Sequence, residues 1–567
     1  MNFLKPTALA CLSTLLGACA GMTPAGSSPA TDVVISTPSI DRPSGETPAW
    51  WFNQGAAEAA NLGASKGRAK NLILFVGDGM SLTTVAAARI FEGQSKGGSG
   101  EENRLSWERW PHTALSRTYN TDSQTPDSAG TMSAMATGVK TRLGVLSIGQ
   151  TAPRGDCSSA RKAELLTLWE LAASSGMATG VVSTARVTHA TPGATFSHSA
   201  DRNWEDDTKL KPKDVEAGCV DIARQMVETR FGHGPDVLMG GGRARFMTAQ
   251  QTDPEYPNKK GARRDGRDLI ADWKARHPDG TYVWNEQQLR AAPTSGALLA
   301  LFEPSHMQYE HDRARDGAGE PSLAEMTRAA ITRLKAQPNG YVLLVEGGRI
   351  DHANHAGNAY RALSDTVALS DAVRAAQEMS DPADTLMIVT ADHSHTLTFV
   401  GYPARGNPIL GKVKGGSGES SDATKYARDA SGLPYTTLVY ANGPGNVGAT
   451  SQQAEGPKKF GHEVRNYKRP LNARPNLENV NTEDPDYMQE ALVPMGSETH
   501  GGDDVGVWAW GAGANAVRGN VEENTIFHFL LQSSPRLRSA LCAKSTCVQG
   551  VPTTLPDPTK FVGTDNR

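Results

Sequence analysis

The sequence predicts an α/β fold: a three-layer sandwich around a large, mostly parallel sheet, with a long insertion placed on it. Three observations carry this. Short, continuous apolar runs end again and again in glycine or an acidic residue, the signature of strands covered on both faces. Helical patterns lie between those runs, and such alternation builds a sheet sandwiched by helices. Two long polar stretches, 246–320 and 401–490, break the rhythm and read as insertions on the sheet.

Taken in order, the first strand is Asn71 to Val76, ending in Gly77-Asp78-Gly79. Ala178 to Thr184 leads into Ala185-Arg186, and Val237 to Met239 ends in three glycines. Tyr341 to Val345 ends in Glu346-Gly347-Gly348, Thr385 to Thr390 in Ala391-Asp392-His393, and Tyr435 to Tyr440 in Ala441-Asn442-Gly443. The intervening helices are Ala163 to Ser175, Ser322 to Lys335 and Asn358 to Met379. Leu323, Met326, Ala330 and Leu334 share one face of the second, and Ser322 with Glu325 forms a capping box at its start. No internal repeat is evident.

The chain has 567 residues, 38% hydrophobic and 21% charged, with a formal net charge of −4. That balance, with no basic stripe, argues against nucleic acid as a partner. Residues 1–19 read as a signal peptide: a basic start at Lys5, an apolar run to Leu16, then small residues. Leu16-Gly17-Ala18-Cys19 resembles the bacterial lipobox, which implies lipidation of Cys19 and an exported, periplasmic or outer-membrane-anchored lipoprotein. Residues 20–60 read as a flexible tether, 61–540 as the α/β body and 541–567 as a C-terminal tail. Setting aside Cys11 and Cys19 leaves Cys157, Cys219, Cys542 and Cys547. Four cysteines in an oxidising compartment suggest two disulfides, with three pairings open. Cys157–Cys219 and Cys542–Cys547 are the expected ones, the latter because it is so local.

One stretch organises the chemistry. Thr125-Pro126-Asp127-Ser128-Ala129-Gly130-Thr131 runs into an Ala- and Met-rich helix-forming segment that continues to Lys140. Ser128 falls at the first turn, where free N–H groups and the helix dipole favour an anion such as phosphate. Read alone, Asp127 or Ser128 is equally an N-cap. A serine hydroxyl needs a metal or base to become a nucleophile, so the ligand set decides. In open α/β sheets the site lies beyond the carboxyl ends of the strands. Asp78, Glu346, Asp392 and His393 all fall there, and Asp351 and His355 follow four residues apart, on one face of a helical turn. His500 in Ser497-Glu498-Thr499-His500-Gly501-Gly502 completes the set. Each residue alone reads as a turn or core residue; together, mixed nitrogen and oxygen ligands suit zinc and an all-oxygen set suits magnesium.

Val76-Gly77-Asp78-Gly79-Met80, Pro126 to Thr131, Val345 to His352, Thr390 to His395 and Ser497 to Gly502 resemble, in order, the motifs of the alkaline phosphatases over about residues 70 to 535. The resemblance implies hydrolysis of small phosphate monoesters through a phosphoserine on Ser128, with two zinc ions and one magnesium ion. Asp351, His355 and His500 match one zinc site. Asp78, Asp392 and His393 match the second. Asp78, Thr191 and Glu346 match the magnesium site. Arg202 matches the arginine that clamps phosphate, oriented by Asp127. His189 and His352 stand where enterobacterial enzymes have Asp and Lys and animal enzymes have His, so the motif variant is animal-like in a bacterial-style exported chain. Three segments resemble the animal calcium site, with Glu255, the Phe302 carbonyl, Glu303 and Glu320 as ligands; Glu320 replaces the pattern's Asp. The 401–490 insertion matches the crown, a region used at dimer interfaces, which implies a homodimer.

Rival readings are weaker. Gly63-Ala64-Ser65-Lys66-Gly67 fits G-x-S-x-G but precedes a strand, so the nucleophile-elbow context is wrong. Gly406 to Lys412 approaches a phosphate loop, but Val413 stands where Ser or Thr is needed. Two alternative functions stay open at this stage: a phosphodiesterase of the same superfamily, and a metal- or phosphate-binding lipoprotein without turnover.

Overall fold

The computed structural model describes residues 33–415, 424–449, 453, 455–461, 467–468 and 474–563. Ten strands form one sheet: β1 Asn71–Gly77, β2 His112–Arg117, β3 Ala178–Arg186, β4 Val237–Gly241, β5 Thr281–Val283, β6 Leu298–Leu301, β7 Tyr341–Gly347, β8 Thr385–Ala391, β9 Val505–Gly511 and β10 Gly519–Glu522. Their order is β10-β2-β9-β8-β1-β7-β3-β4-β6-β5. All neighbours pair parallel except β9, which runs antiparallel to both β8 and β2.

Strand side chains alternate between faces, and here both faces are covered. Leu72, Leu74 and Val76 of β1 join one core with Trp51, Met132, Leu168 and Phe527. Ile73 and Phe75 join another with Val85, Met326, Leu363 and Val373. The first layer contains α1 Pro48–Asn61, α3 Ser128–Thr137, α4 Leu168–Ser174 and α8 Thr525–Ser533; the second contains α2 Leu82–Ser95, α5 Leu323–Leu334 and α7 Ala359–Met379. The short α6 Arg349–His355 sits between β7 and α7. The predicted sandwich is present. So are the capping box of Ser322 with Glu325 and both disulfides, Cys157–Cys219 and Cys542–Cys547.

Several boundaries differ from the sequence expectation. The stretch read as a tether to residue 60 contains helix α1, capped by Thr47, with Trp51 and Phe52 buried in the core; its aromatic residues outweigh the Pro, Ser and Gly around them. The 246–320 stretch is not merely an insertion on the sheet: it supplies the edge strand β5 and its neighbour β6. Tyr435 to Tyr440 was expected in the main sheet. The strand there is Leu438–Gly443, and it joins Leu397–Phe399 and Ala491–Pro494 in a separate three-stranded sheet. Helix Ala163 to Ser175 starts later, at Leu168, where Thr167 and Glu170 form a capping box. The expected C-terminal tail packs on the body over its described residues, 541–563: Val551 is buried, and Phe561 lies in the core with Trp169. Besides β5 and β6, three more strands of the sheet were not anticipated, β2, β9 and β10. β2 and β10 are edge-side strands of mixed polarity, without the unbroken apolar run that marks the centre of a parallel sheet, whereas β9, between β2 and β8, is apolar but carries Trp508, Trp510 and two glycines in place of an aliphatic run.

Cys19, the signal segment and the start of the tether lie outside the described residues. Among the described residues no helix is long and apolar enough to cross a membrane.

Candidate metal and phosphate site

Parallel register places the acidic ends of the central strands side by side. Gly77 of β1 aligns with Gly347 of β7 and Ala391 of β8, so Asp78, Glu346 and Asp392 converge beyond or at one sheet edge. Gly79 turns the chain there with φ 67°; a side chain at that position would collide with the His395 ring. Its N–H donates to Asp392 Oδ1 at 3.0 Å.

Helix α3 begins at Ser128. Asp127 is its N-cap and accepts from the Gly130 N–H at 3.1 Å, and the helix is closed by Gly138 at φ 76°. The capping expectation for this stretch therefore holds, on Asp127, with Ser128 as the first helical residue beside it. Ser128 is buried. Its Oγ lies 3.4 Å from Asp78 Oδ1 and 3.1 Å from His393 Nε2. Asp127 also accepts from the Gly144 N–H and from Arg202 Nη1 at 3.2 Å. Arg202 Nη2 lies 3.1 Å from His189 Nε2. A carboxylate fixed by backbone donors thus fixes the guanidinium.

The expected ligand sets are brought together. Asp351 Oδ1 lies 3.2 Å from His355 Nε2 and 3.4 Å from His500 Nε2, and the two imidazole nitrogens are 3.1 Å apart. His393 Nε2 lies 3.4 Å from both Asp78 Oδ1 and Asp392 Oδ2. Asp78, His189 and Glu346 form a third group within ligand reach of one another, and the buried Thr191 hydroxyl helps hold down the Glu346 pKa. Asp78 Oδ2 and Glu346 Oε1 are buried with no hydrogen-bond partner. Unpartnered buried carboxylate oxygens are costly unless a cation takes them, so the donor set fits metal ions.

The electrostatics point the same way. Burial, and then the charges of Asp392, Asp351 and Glu346, push Asp78 well above the usual carboxylate range. Burial is likewise the largest influence on Glu346, pushed up to about 7, and on Asp392, which is also raised. Asp351 is the exception: burial would raise it, but His355, His395 and His500 hold it well below the ordinary value. Acids crowded this closely resist ionising together, and bound cations reverse that tendency.

His395 and Glu498 were not singled out from the sequence. His395 Nε2 lies 2.8 Å from Asp351 Oδ1 and its Nδ1 lies 2.5 Å from Glu498 Oε2. Glu498 Oε1 accepts from Thr396 N–H and Oγ1. Burial lowers the His395 pKa, but Glu498 and Asp351 overcome it and push it up to about 10, and the ring bridges the two carboxylates. Both residues stood in quoted motifs. The available signal was His395 lying two residues after His393, on the small strand Ser394–His395 that pairs with His500–Gly501. Partners that orient ligands typically matter by about 10- to 100-fold. His395→Asn is therefore expected to lower kcat/KM for a phosphate monoester by about that factor, with the fold intact by circular dichroism; unchanged kinetics would contradict this role.

The calcium expectation is modified. Glu255, Glu303 and Asp316 form the acidic group within mutual ligand reach, and Asp316 was not among the expected ligands. The Phe302 carbonyl instead accepts from Arg243 Nη1 at 3.0 Å, and Glu255 Oε2 from Arg243 Nη2 at 3.0 Å. Glu320 feels the charges of Glu303 and Asp316, but burial is the main reason it is pushed up to about 9. Glu255 Oε1, Asp316 Oδ1 and Glu320 Oε2 are left without partners. His352 packs in a ring cluster with His189 and His306, its ring centroid 4.0 Å from that of His306.

A mostly parallel sheet with clustered carboxylates and histidines at the carboxyl ends of its central strands defines an α/β protein with a candidate multi-metal site. Residues 69–534 match the alkaline phosphatase family model. The chain is 41% identical over 471 residues to the alkaline phosphatase of Gadus morhua, covering 82% of this chain and 91% of that one. It is 42% identical over 470 residues to the tissue-nonspecific isozyme of Gallus gallus, covering 81% and 83%. The structure of Thermus thermophilus alkaline phosphatase aligns with a TM-score of 0.59 at 26% identity, covering 88% of this chain and 96% of that one. The chain belongs to the alkaline phosphatase family. It is a metal-dependent enzyme that hydrolyses phosphate monoesters.

Proposed function

We propose that Ser128 is the nucleophile of this hydrolysis and that Arg202 holds the phosphoryl group. The observation that carries the reading is the Ser128 hydroxyl itself. It starts a buried helix and faces Asp78 and His393, while Arg202 is anchored beside it by Asp127. Ser128 Oγ releases its proton to solvent and attacks phosphorus in line with the ester oxygen. The P–O ester bond breaks, the alcohol leaves with a proton from water, and the phosphate rests on Ser128. Water then attacks the phosphoserine, the P–Oγ bond breaks, and inorganic phosphate is released. Throughout, the Arg202 fork pairs with two non-bridging oxygens, and the α3 N–H groups and dipole favour their charge. Asp351, His355 and His500 would hold one zinc ion, Asp78, Asp392 and His393 a second, and Asp78, Thr191 and Glu346 magnesium. Such cations supply Lewis-acid stabilisation of alkoxides and lower the pKa of water. Glu255, Asp316 and Glu320, through their unpartnered oxygens, would hold a calcium ion together with Glu303.

Two further elements belong to this reading. The chain acts as an exported lipoprotein anchored through Cys19. It pairs as a homodimer through the crown, where Tyr402 is exposed, with Phe399, Leu492, Val493 and Met495 exposed at its borders. Turnover of an aryl phosphate monoester against its matching diester tests the substrate class. Monoester preference by at least about a hundredfold is expected, since Arg202 pairs best with a dianionic phosphoryl group; diester preference would contradict the assignment.

A further inference from the structure

A second polar cavity lies at the far end of the sheet. It encloses about 260 Å³ and is lined by His233, Asp236, His277, Thr294, Ser295 and Arg333, among others. Asp236 directly precedes β4, Ala297 directly precedes β6, and Gln337 lies shortly before β7. These are the amino ends of nearby strands of the sheet, of which β7 carries Glu346 at its carboxyl end. At roughly 3.3 Å per residue, the length of β7 separates this cavity from Glu346 by about 20 Å.

Arg333, in the last turn of α5, is only 6% exposed. One Nη donates to the Pro293 carbonyl, while Nε has no partner. Burial is the only influence that shifts it, and no carboxylate offsets that influence. Elsewhere in this chain buried arginines are matched: Arg243 with Asp253 and Glu255, Arg263 with Asp221 and Asp265. A buried guanidinium without a counter-ion is costly. The cavity's own carboxylate, Asp236, accepts from the Thr179 N–H at 2.8 Å through Oδ2 and is not among the influences on Arg333. Arg333 therefore forms a cationic wall of a cavity whose rim carries the exposed Thr294 and Ser295 and the imidazole of His233. Planar guanidinium and nearby hydroxyls are the groups that recognise oxyanions. The volume lies just below the range of about 300–1,000 Å³ usual for ligand pockets, which suits a compact ligand.

We propose that this cavity binds a small phosphate-bearing anion through Arg333, at a site separate from catalysis. The anion is either inorganic phosphate or the phosphate of a compact ester. Equilibrium binding to the metal-loaded enzyme distinguishes these, with inorganic phosphate as one probe and a non-hydrolysable glycerol phosphonate as the other. Wild-type enzyme is expected to take up two equivalents of phosphate per chain. Arg333→Met is expected to take up one, with kcat and KM for an aryl phosphate monoester unchanged. Phosphonate uptake that is also lost in Arg333→Met identifies a compact ester as the ligand; loss of phosphate uptake alone identifies inorganic phosphate. Should Arg333→Met fail to fold, Arg333→Lys keeps the charge but not the planar fork, and at least tenfold weaker binding of the second equivalent is expected. Equal uptake by wild type and variant, or a single equivalent in the wild type that Arg202→Ala abolishes, would overturn the proposal. Because the site lies apart from Ser128, loss of catalytic phosphate binding in Arg202→Ala leaves this result readable.

Discussion

Ser128→Ala is expected to lower kcat for a phosphate monoester by at least about a thousandfold, roughly 4 kcal/mol of transition-state stabilisation. The substitution removes only Oγ. The helix start survives, because the cap is Asp127, whose side chain accepts the Gly130 N–H, and alanine is a strong helix former. Metal content is expected to stay at the wild-type level, since the sets around Asp351, around Asp392 and around Glu346 are all intact. A low kcat with normal metal content and melting temperature isolates the nucleophile. Wild-type turnover would return Ser128 to a purely structural first-turn residue.

Stripping the cations with a chelator is the second large effect. Asp78, Glu346 and Asp392 crowd one end of the sheet, and burial already pushes all three upward. Without cations their ionisation is opposed by burial and by one another, and the serine loses its activation. Turnover is expected to fall at least about a hundredfold and to return on adding zinc with magnesium. Ligands held at about a thousand times their dissociation constant stabilise by about 4 kcal/mol, so the melting temperature is expected to drop by several degrees in parallel. Full activity after demonstrated loss of metal would contradict the site.

Much of this was legible in the sequence because the decisive signals are local. Unbroken apolar runs ending in Asp78, Glu346 and Asp392 name both the central strands and the residues at their ends. A four-residue spacing places Asp351 and His355 on one turn of Arg349–His355. What escaped notice depends on tertiary packing. His395 and Glu498 act as a pair only because the strand holding His395 meets the loop at His500. Asp316 reaches Glu255 and Glu303 from a loop some sixty residues from the first, and no local pattern marks it. Strand β9 contains Trp508 and Trp510 rather than a continuous aliphatic run, and its antiparallel direction follows from where the chain re-enters the sheet. Helix α1 was hidden in a segment whose Pro, Ser and Gly content masked two core aromatics.

The most direct test of Ser128 as the nucleophile is acid-quenched turnover of an aryl phosphate, followed by peptide mass spectrometry. The account predicts a phosphoryl group on the peptide containing Ser128, formed before product phosphate and absent in Ser128→Ala. Rapid turnover with no phosphorylated peptide, or with phosphate trapped on another residue, would contradict it.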